Sequence, residues 1–269
     1  AAPRVRARLR QLLTEPERPA AAAPGEAYPP VGTVCAEEIG IVGRNGHLFL
    51  YAGRNDLVGL YRQSEVPPAR PGRWRALATA RAEAAAAAGV TVLQMLIPEK
   101  SSLLGGLVPY AAGGLSAQHR AVAAALALEH PAWRFLDLAP VFQEASAPEA
   151  VFRIKDTHLS TYGCELAVRA MAAALDLDPG LVRPEKPLVQ EAVSSGLGGR
   201  FGSGDGRELV YLARSLTDRD GRPLSPVEVA RHDPPEGHMG ASRHWRCEAA
   251  PFDRRVAIFG NSFFERGGM

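Results

Sequence analysis

Gly89-Val90-Thr91-Val92-Leu93-Gln94-Met95-Leu96-Ile97-Pro98-Glu99-Lys100 is the stretch on which the reading of the fold turns. Val90 to Ile97 is a nearly continuous apolar run of strand length, the mark of a strand buried on both faces. Gly89 before it suits the C-cap of a helix over Arg73 to Ala88, with Trp74, Leu77 and the alanines on one face. Downstream, Ser116 caps a second helix through His130, and Trp133 to Leu138 is another short strand that Leu138-Ala139-Pro140 leaves by a turn. A third helix spans Thr161 to Leu175, with Leu166, Ala170 and Leu175 inward. Helix, strand, helix, strand, helix is the alternation of an α/β protein with a mainly parallel sheet. Arg255 to Phe259 reads as a further strand of that sheet. The polar segment after Ile97 then falls at a carboxyl edge, where ligands of open parallel sheets sit.

The flanks are simpler. Residues 1–39 read as an N-terminal arm and linker, with a short basic helix from Val5 to Leu13 and an Ala/Pro-rich connector. Residues 40–269 read as one domain. In Ile41-Val42-Gly43-Arg44-Asn45-Gly46-His47-Leu48-Phe49-Leu50-Tyr51, two apolar runs flank Asn-Gly, which suits the positive φ angles of a type I′ turn and predicts a β-hairpin. Leu188 to Pro251 gives no clear periodicity. Within it, Gly196 to Gly206 reads as a glycine-rich loop without a phosphate-binding pattern, and Arg231 to His244 as an irregular insertion.

Composition excludes several function classes. With 46% apolar residues in 269, the chain can build a core without disulfides or metal. A net charge of +2 with scattered arginines does not describe a nucleic-acid surface. The three cysteines, Cys35, Cys164 and Cys247, show no C-x-x-C spacing. His232, His238 and His244 lack a ligand set, so no metal is expected. No apolar run reaches the roughly 18 residues of a membrane span. The Ala-Ala start fits loss of an initiator methionine and hence the cytoplasm; a removed signal would place the protein in the periplasm or beyond.

The chemistry concentrates in Lys155-Asp156-Thr157-His158-Leu159-Ser160-Thr161-Tyr162-Gly163. Asp156 can hold one ring nitrogen of His158, leaving the other to take a proton from a nucleophile. The competing reading is helix capping by Asp156. A nucleophile is offered by Phe259-Gly260-Asn261-Ser262-Phe263, where an apolar run meets a tight turn and then a serine. Ser262 at a strand–helix turn exposes its hydroxyl, and the Phe263 N–H points at the same place as an oxyanion donor. Asn261 either lines that hole or only forms the turn. Lys100 either contacts substrate or pairs with Glu99.

Four blocks then carry a resemblance: Gly43 to Leu50, Ile97 to Leu103, Asp156 to Ser160, and Phe259 to Phe263. In this order they resemble the SGNH-hydrolase-like alginate O-acetyltransferase family, over about residues 41–264. His47 and Leu159 stand where the family usually has Trp, and Asn261 where it has Asp or Thr. The resemblance implies a three-layer SGNH-like fold in permuted order, with Ser262 as the acylated nucleophile, His158 as base and Asp156 as its orienter. The expected activity is O-acyl transfer, O-acetyl transfer above all, to a hydroxyl of a sugar, glycan or glycosylated metabolite. The donor would be an acyl thioester or a partner acyltransferase, with no resident cofactor. An esterase using the same triad and a non-catalytic carbohydrate-binding domain are the alternatives. Because the family continues past its serine, the native chain is expected to extend beyond Met269 or to be completed by a second chain.

Overall fold

The computed structural model describes residues 29–128, 130–131, 133–185, 188–202, 206–235, 241–252 and 255–260. The predicted basic helix Val5–Leu13, and Asn261, Ser262 and Phe263, lie outside them.

The hairpin forms as the sequence predicts. Strand β1 (Gly40–Val42) pairs antiparallel with β2 (Leu48–Leu50), Gly40 opposite Leu50. Asn45 and Gly46 both take positive φ, 56° and 74°, at the turn between them. Phe49 and Ile41 then bury against Leu104, Val108 and Ala112, which fixes the hairpin to the domain. Helix α1 (Leu57–Arg62) follows, capped by the Asp56 carboxylate on the Gly59 N–H.

Helix α2 (Ala69–Ala87) ends as expected. Gly89 adopts φ +70°, the Gly89 N–H donates to Ala86 and the Val90 N–H to Ala85, a Schellman closure. Its buried face differs from expectation. Trp74 and Leu77 are 45% and 44% exposed, whereas Ala78 and Ala82 are buried. The small alanines let α2 lie close on its neighbour, and there the bulky side chains have no room.

Strand β3 (Val92–Leu96) pairs in parallel with β4 (Trp133–Asp137), Val92 opposite Trp133 and Leu96 opposite Asp137. Between them run the short helix α3 (Lys100–Leu103) and α4 (Ala117–Ala127), the latter capped by Ser116 on the His119 N–H. After β4 come α5 (Ala139–Gln143), where a plain turn was expected, and α6 (Thr161–Ala174). Alternation along the strands sorts the core into two layers. Val92, Leu96, Trp133 and Phe135 meet α2 and α4 through Ala78, Ala82, Val122 and Leu126. Leu93, Met95, Leu136 and Leu138 meet α5 and α6 through Phe142, Leu166 and Ala170. Helices thus cover both faces of the pair.

A mainly parallel sheet is not what forms. Among the described residues β3–β4 is the one parallel pair, and every other pairing is antiparallel. Strand β3 is half-buried at each position instead of enclosed. Arg255–Phe259 is not a strand: it has no ladder partner among the described residues, and Val256, Ile258 and Phe259 are 55%, 52% and 94% exposed. Apolar composition alone does not make a strand without a neighbour to accept its backbone bonds. Ahead of the segment without clear periodicity comes β5 (Val182–Pro184), and the segment itself holds β6 (Val189–Ser194), β7 (Arg207–Leu212), β8 (Leu216–Asp218), β9 (Pro223–Leu224), β10 (Val227–His232) and β11 (Ser242–Arg246). The two ends of the region read as an irregular insertion, Arg231–His232 and Ser242–His244, belong to the antiparallel pair β10–β11, which is bulged between Glu228 and Ala230. Among the described residues no helix is long and apolar enough to cross a membrane.

Two positions give the packing a direct test. A Cβ on Gly163, in the first turn of α6, would lie 2.1 Å from the Val151 carbonyl oxygen. Gly163→Ala should therefore destabilise the fold by about 1–3 kcal/mol or more in chemical denaturation; an unchanged midpoint would mean that Val151 yields freely. His47 is 6% exposed, with no hydrogen-bond partner for Nδ1 among the described residues. Burial first, and the Lys100 charge second, lower its imidazole to about 3. Below its ordinary value near 6.5 the unfolded chain binds a proton that the folded one refuses, so stability falls with pH through that window. His47→Leu should flatten the decline of Tm between about pH 6.5 and pH 4, and an identical acid limb would place the effect on another group.

Candidate active site

The loop carrying Asp156 and His158 is pinched at its base. Phe152 and Leu159 form an isolated antiparallel bridge, both buried beside Val151 and Phe142. The Arg153 N–H donates to the His158 carbonyl at 3.0 Å and the Ser160 N–H to Val151 at 2.9 Å. Ser160, not Asp156, caps α6, accepting from the Gly163 N–H at 3.1 Å. The Asp156 carboxylate is thus directed elsewhere.

Its Oδ1 lies 2.6 Å from His158 Nδ1 and accepts the Thr157 and His158 N–H groups at 2.6 and 3.2 Å. Its Oδ2 accepts the Gly196 N–H at 2.7 Å, with Arg153 Nη1 at 3.4 Å. Burial alone would raise the Asp156 carboxyl. The hydrogen bonds from His158 and Gly196 and the charges of His158 and Arg153 outweigh it and hold the group well below the carboxylate range. An ionised Asp156 is an acceptor only, so the Nδ1 it faces carries the proton. That tautomer makes Nε2 the basic nitrogen of His158.

The β6–β7 hairpin clamps this loop from one side. Glu208 sits 2.7 Å from Arg153 Nε and accepts the Lys155 N–H at 2.9 Å. Arg153 Nη2 donates to the Ser194 carbonyl at 2.7 Å, Lys155 Nζ to Arg207 at 2.9 Å, and Ser195 Oγ to the Lys155 carbonyl. Arg153, Ser195, Gly196 and Glu208 were not singled out from the sequence. No local motif marks them; the one available signal was that the glycine-rich loop begins at Gly196.

Lys100, the first residue of α3, also holds this loop. It is 2% exposed, and Nζ lies within 2.9 Å of the Leu48 carbonyl oxygen, 2.7 Å of Arg153, 2.8 Å of Ile154 and 3.0 Å of Asp156. The Phe49 ring centroid is 4.9 Å from it. Burial lowers the ammonium to about 7, against the favourable charges of Glu208 and Asp156 and with the opposition of Arg153. Carbonyl oxygens only accept, so the protonated form is the one this cage serves. The Leu48 N–H returns a bond to Ile154 at 2.9 Å.

A second polar group lies at the same sheet edge. His119 Nε2 is 3.1 Å from Asp137, Ser102 pairs with Tyr61 at 2.6 Å, and Ser101 with Tyr110 at 2.8 Å. Burial raises the Glu99 carboxyl there, which His119 partly offsets. Among the described residues no group of three or more His, Cys, Asp or Glu side chains is placed to hold a metal ion.

Of the six residues drawn from the sequence, the structure thus brings together Asp156, His158 and the buried Lys100. Asn261, Ser262 and Phe263 lie outside the described residues. Residues 41–202 match the family model described as SGNH hydrolase-like domain, acetyltransferase AlgX. No curated protein matches the chain. The matched span takes in the hairpin, the β3–Lys100 edge, the Asp156–His158 loop and the start of its Gly196 clamp, and by it the chain belongs to the AlgX family of SGNH hydrolase-like acetyltransferase domains.

Proposed function

We propose that the protein is a serine O-acetyltransferase in which Ser262, His158 and Asp156 act in sequence on an acyl donor and a carbohydrate hydroxyl. The observation that carries the reading is the 2.6 Å contact between Asp156 and His158 Nδ1, within a domain of an acetyltransferase family. Asp156 fixes the tautomer and stabilises the imidazolium that forms during transfer.

In this scheme His158 Nε2 takes the Ser262 hydroxyl proton as Oγ bonds to the donor carbonyl carbon. The carbonyl oxygen becomes an oxyanion, for which the Phe263 N–H and Asn261 are the proposed donors. Collapse breaks the bond to the donor's leaving group, which receives the proton from His158, and leaves acetyl-Ser262. An acceptor hydroxyl then attacks, His158 takes its proton, and Ser262 departs with that proton restored. The acceptor class, a sugar or glycosylated hydroxyl, and a thioester or partner-delivered donor are proposed from family membership. Water in place of the acceptor would give an esterase from the same groups.

Intact-mass measurement after incubation with an activated acetyl ester tests the reading. One acetyl group should appear on Ser262 and be lost on adding an acceptor sugar faster than in buffer alone. Ser262→Ala should show no label, and labelling retained in that variant would put the nucleophile elsewhere. Asp156→Asn should slow acetylation by about 10²–10⁴-fold, through the wrong tautomer.

A further inference from the structure

The mechanism above gives Lys100 no part, yet its placement is unusual for a lysine. An ammonium offers three N–H donors, and here four carbonyl oxygens converge on it between 2.7 and 3.0 Å. One belongs to the hairpin at Leu48; the others belong to Arg153, Ile154 and Asp156 of the loop that carries the acid–base pair. The side chain is 2% exposed, so substrate does not reach it. With its donors turned to these carbonyls, Nζ does not serve Glu99, whose carboxyl is influenced by His119.

We propose that Lys100 is a positioning residue: its ammonium draws the carbonyls of Arg153, Ile154 and Asp156 onto the Leu48 strand and thereby sets the aim of the His158 imidazole. The mechanism is geometric. Oxygens that share a cation are held close together despite their mutual repulsion, and without the cation they turn apart. Asp156 supplies both a carbonyl to Lys100 and a carboxylate to His158, so rotation of its backbone moves the imidazole directly. The cage also has the make-up of a monovalent-cation site, a ring of backbone carbonyls around one positive charge. The effect on turnover rests on the acyl-transfer reading; the effect on His158 does not.

Two variants and two readouts separate these. Lys100→Met keeps the length and removes the charge. In it, the low-field proton resonance of His158 Nδ1–H, identified by its loss in His158→Gln, should broaden or shift. The kcat for acetyl transfer should fall about 10²-fold with KM within about threefold, as expected when a reacting group is misplaced. Lys100→Ala leaves room for propylammonium, which supplies the missing carbons and charge. Propylammonium should restore the resonance and part of kcat, and propanol should not. An unchanged resonance in folded Lys100→Met would overturn the proposal, as would a raised KM at constant kcat, which marks substrate contact. Loss of the fold in both variants, unrelieved by propylammonium, would also overturn it by making Lys100 a core element of the whole domain. Should the wild type transfer no acetyl group, the resonance still decides the positioning while the acyl-transfer reading fails alone.

Discussion

A lysine ammonium buried among backbone carbonyls ties the parts of this domain together. Removing an ammonium from water costs several kcal/mol even after relaxation, and a fold keeps one only where acceptors and counter-charges surround it. Around Lys100 the acceptors come from two elements remote in sequence, the hairpin at Leu48 and the loop at Arg153–Asp156. The counter-charges are Asp156 and Glu208, with Arg153 as the second cation. Two positive and two negative groups thus balance beneath the Asp156–His158 loop. Removing any one would leave an uncompensated buried charge, the costly case for such networks.

The same arrangement explains why Asp156 stays ionised although it is 3% exposed. Its two oxygens divide the work. Oδ1 serves the loop itself, taking the N–H groups of Thr157 and His158 and the ring of His158. Oδ2 faces outward to Gly196 and Arg153. A capping carboxylate could not do this, because it would spend its acceptors on the helix. Ser160 takes that duty and leaves Asp156 to the imidazole.

Much of this was legible where the determinant is local. Asn45-Gly46 encodes its turn, Gly89 its helix stop, Ser116 its cap, and Asp156-x-His158 its own hydrogen bond, because each needs only neighbours in the chain. The parts that escaped depend on distant partners. Glu208 sits in a short, mixed strand, and nothing in Arg207–Leu212 shows that it reaches back to Arg153 and Lys155. Lys100 after a strand looked like a substrate contact or an ion pair, since four carbonyl acceptors leave no mark in side-chain sequence. Trp74 and Leu77 mislead because helical periodicity names a face without saying that alanine is what the neighbouring helix admits. Arg255–Phe259 has strand composition, but a strand also needs an edge to join.

Magnitudes show why the local motif could not suffice. Holding the backbone of Arg153 to His158 in one conformation costs about 1–2 kcal/mol per residue, so roughly 6–12 kcal/mol for the segment. The Asp156–His158 hydrogen bond, with a charged acceptor, returns about 1.5–3 kcal/mol. A two-residue motif therefore specifies which groups pair but leaves the loop free to wander with the pair intact. The deficit is met by burial of Phe152 and Leu159 at the base, worth about 1.5–3 kcal/mol each. The rest falls to the long-range bonds of Lys100, Glu208, Gly196 and the Leu48 N–H at the tip. The base anchors stabilise the loop without orienting it, since both lie outside the segment that turns. Orientation falls to the tip contacts, and of these Lys100 engages three residues of the tip, Arg153, Ile154 and Asp156, together with the separate Leu48 strand. The chemistry is written in neighbouring residues, and its direction is set by residues 40 or more positions away.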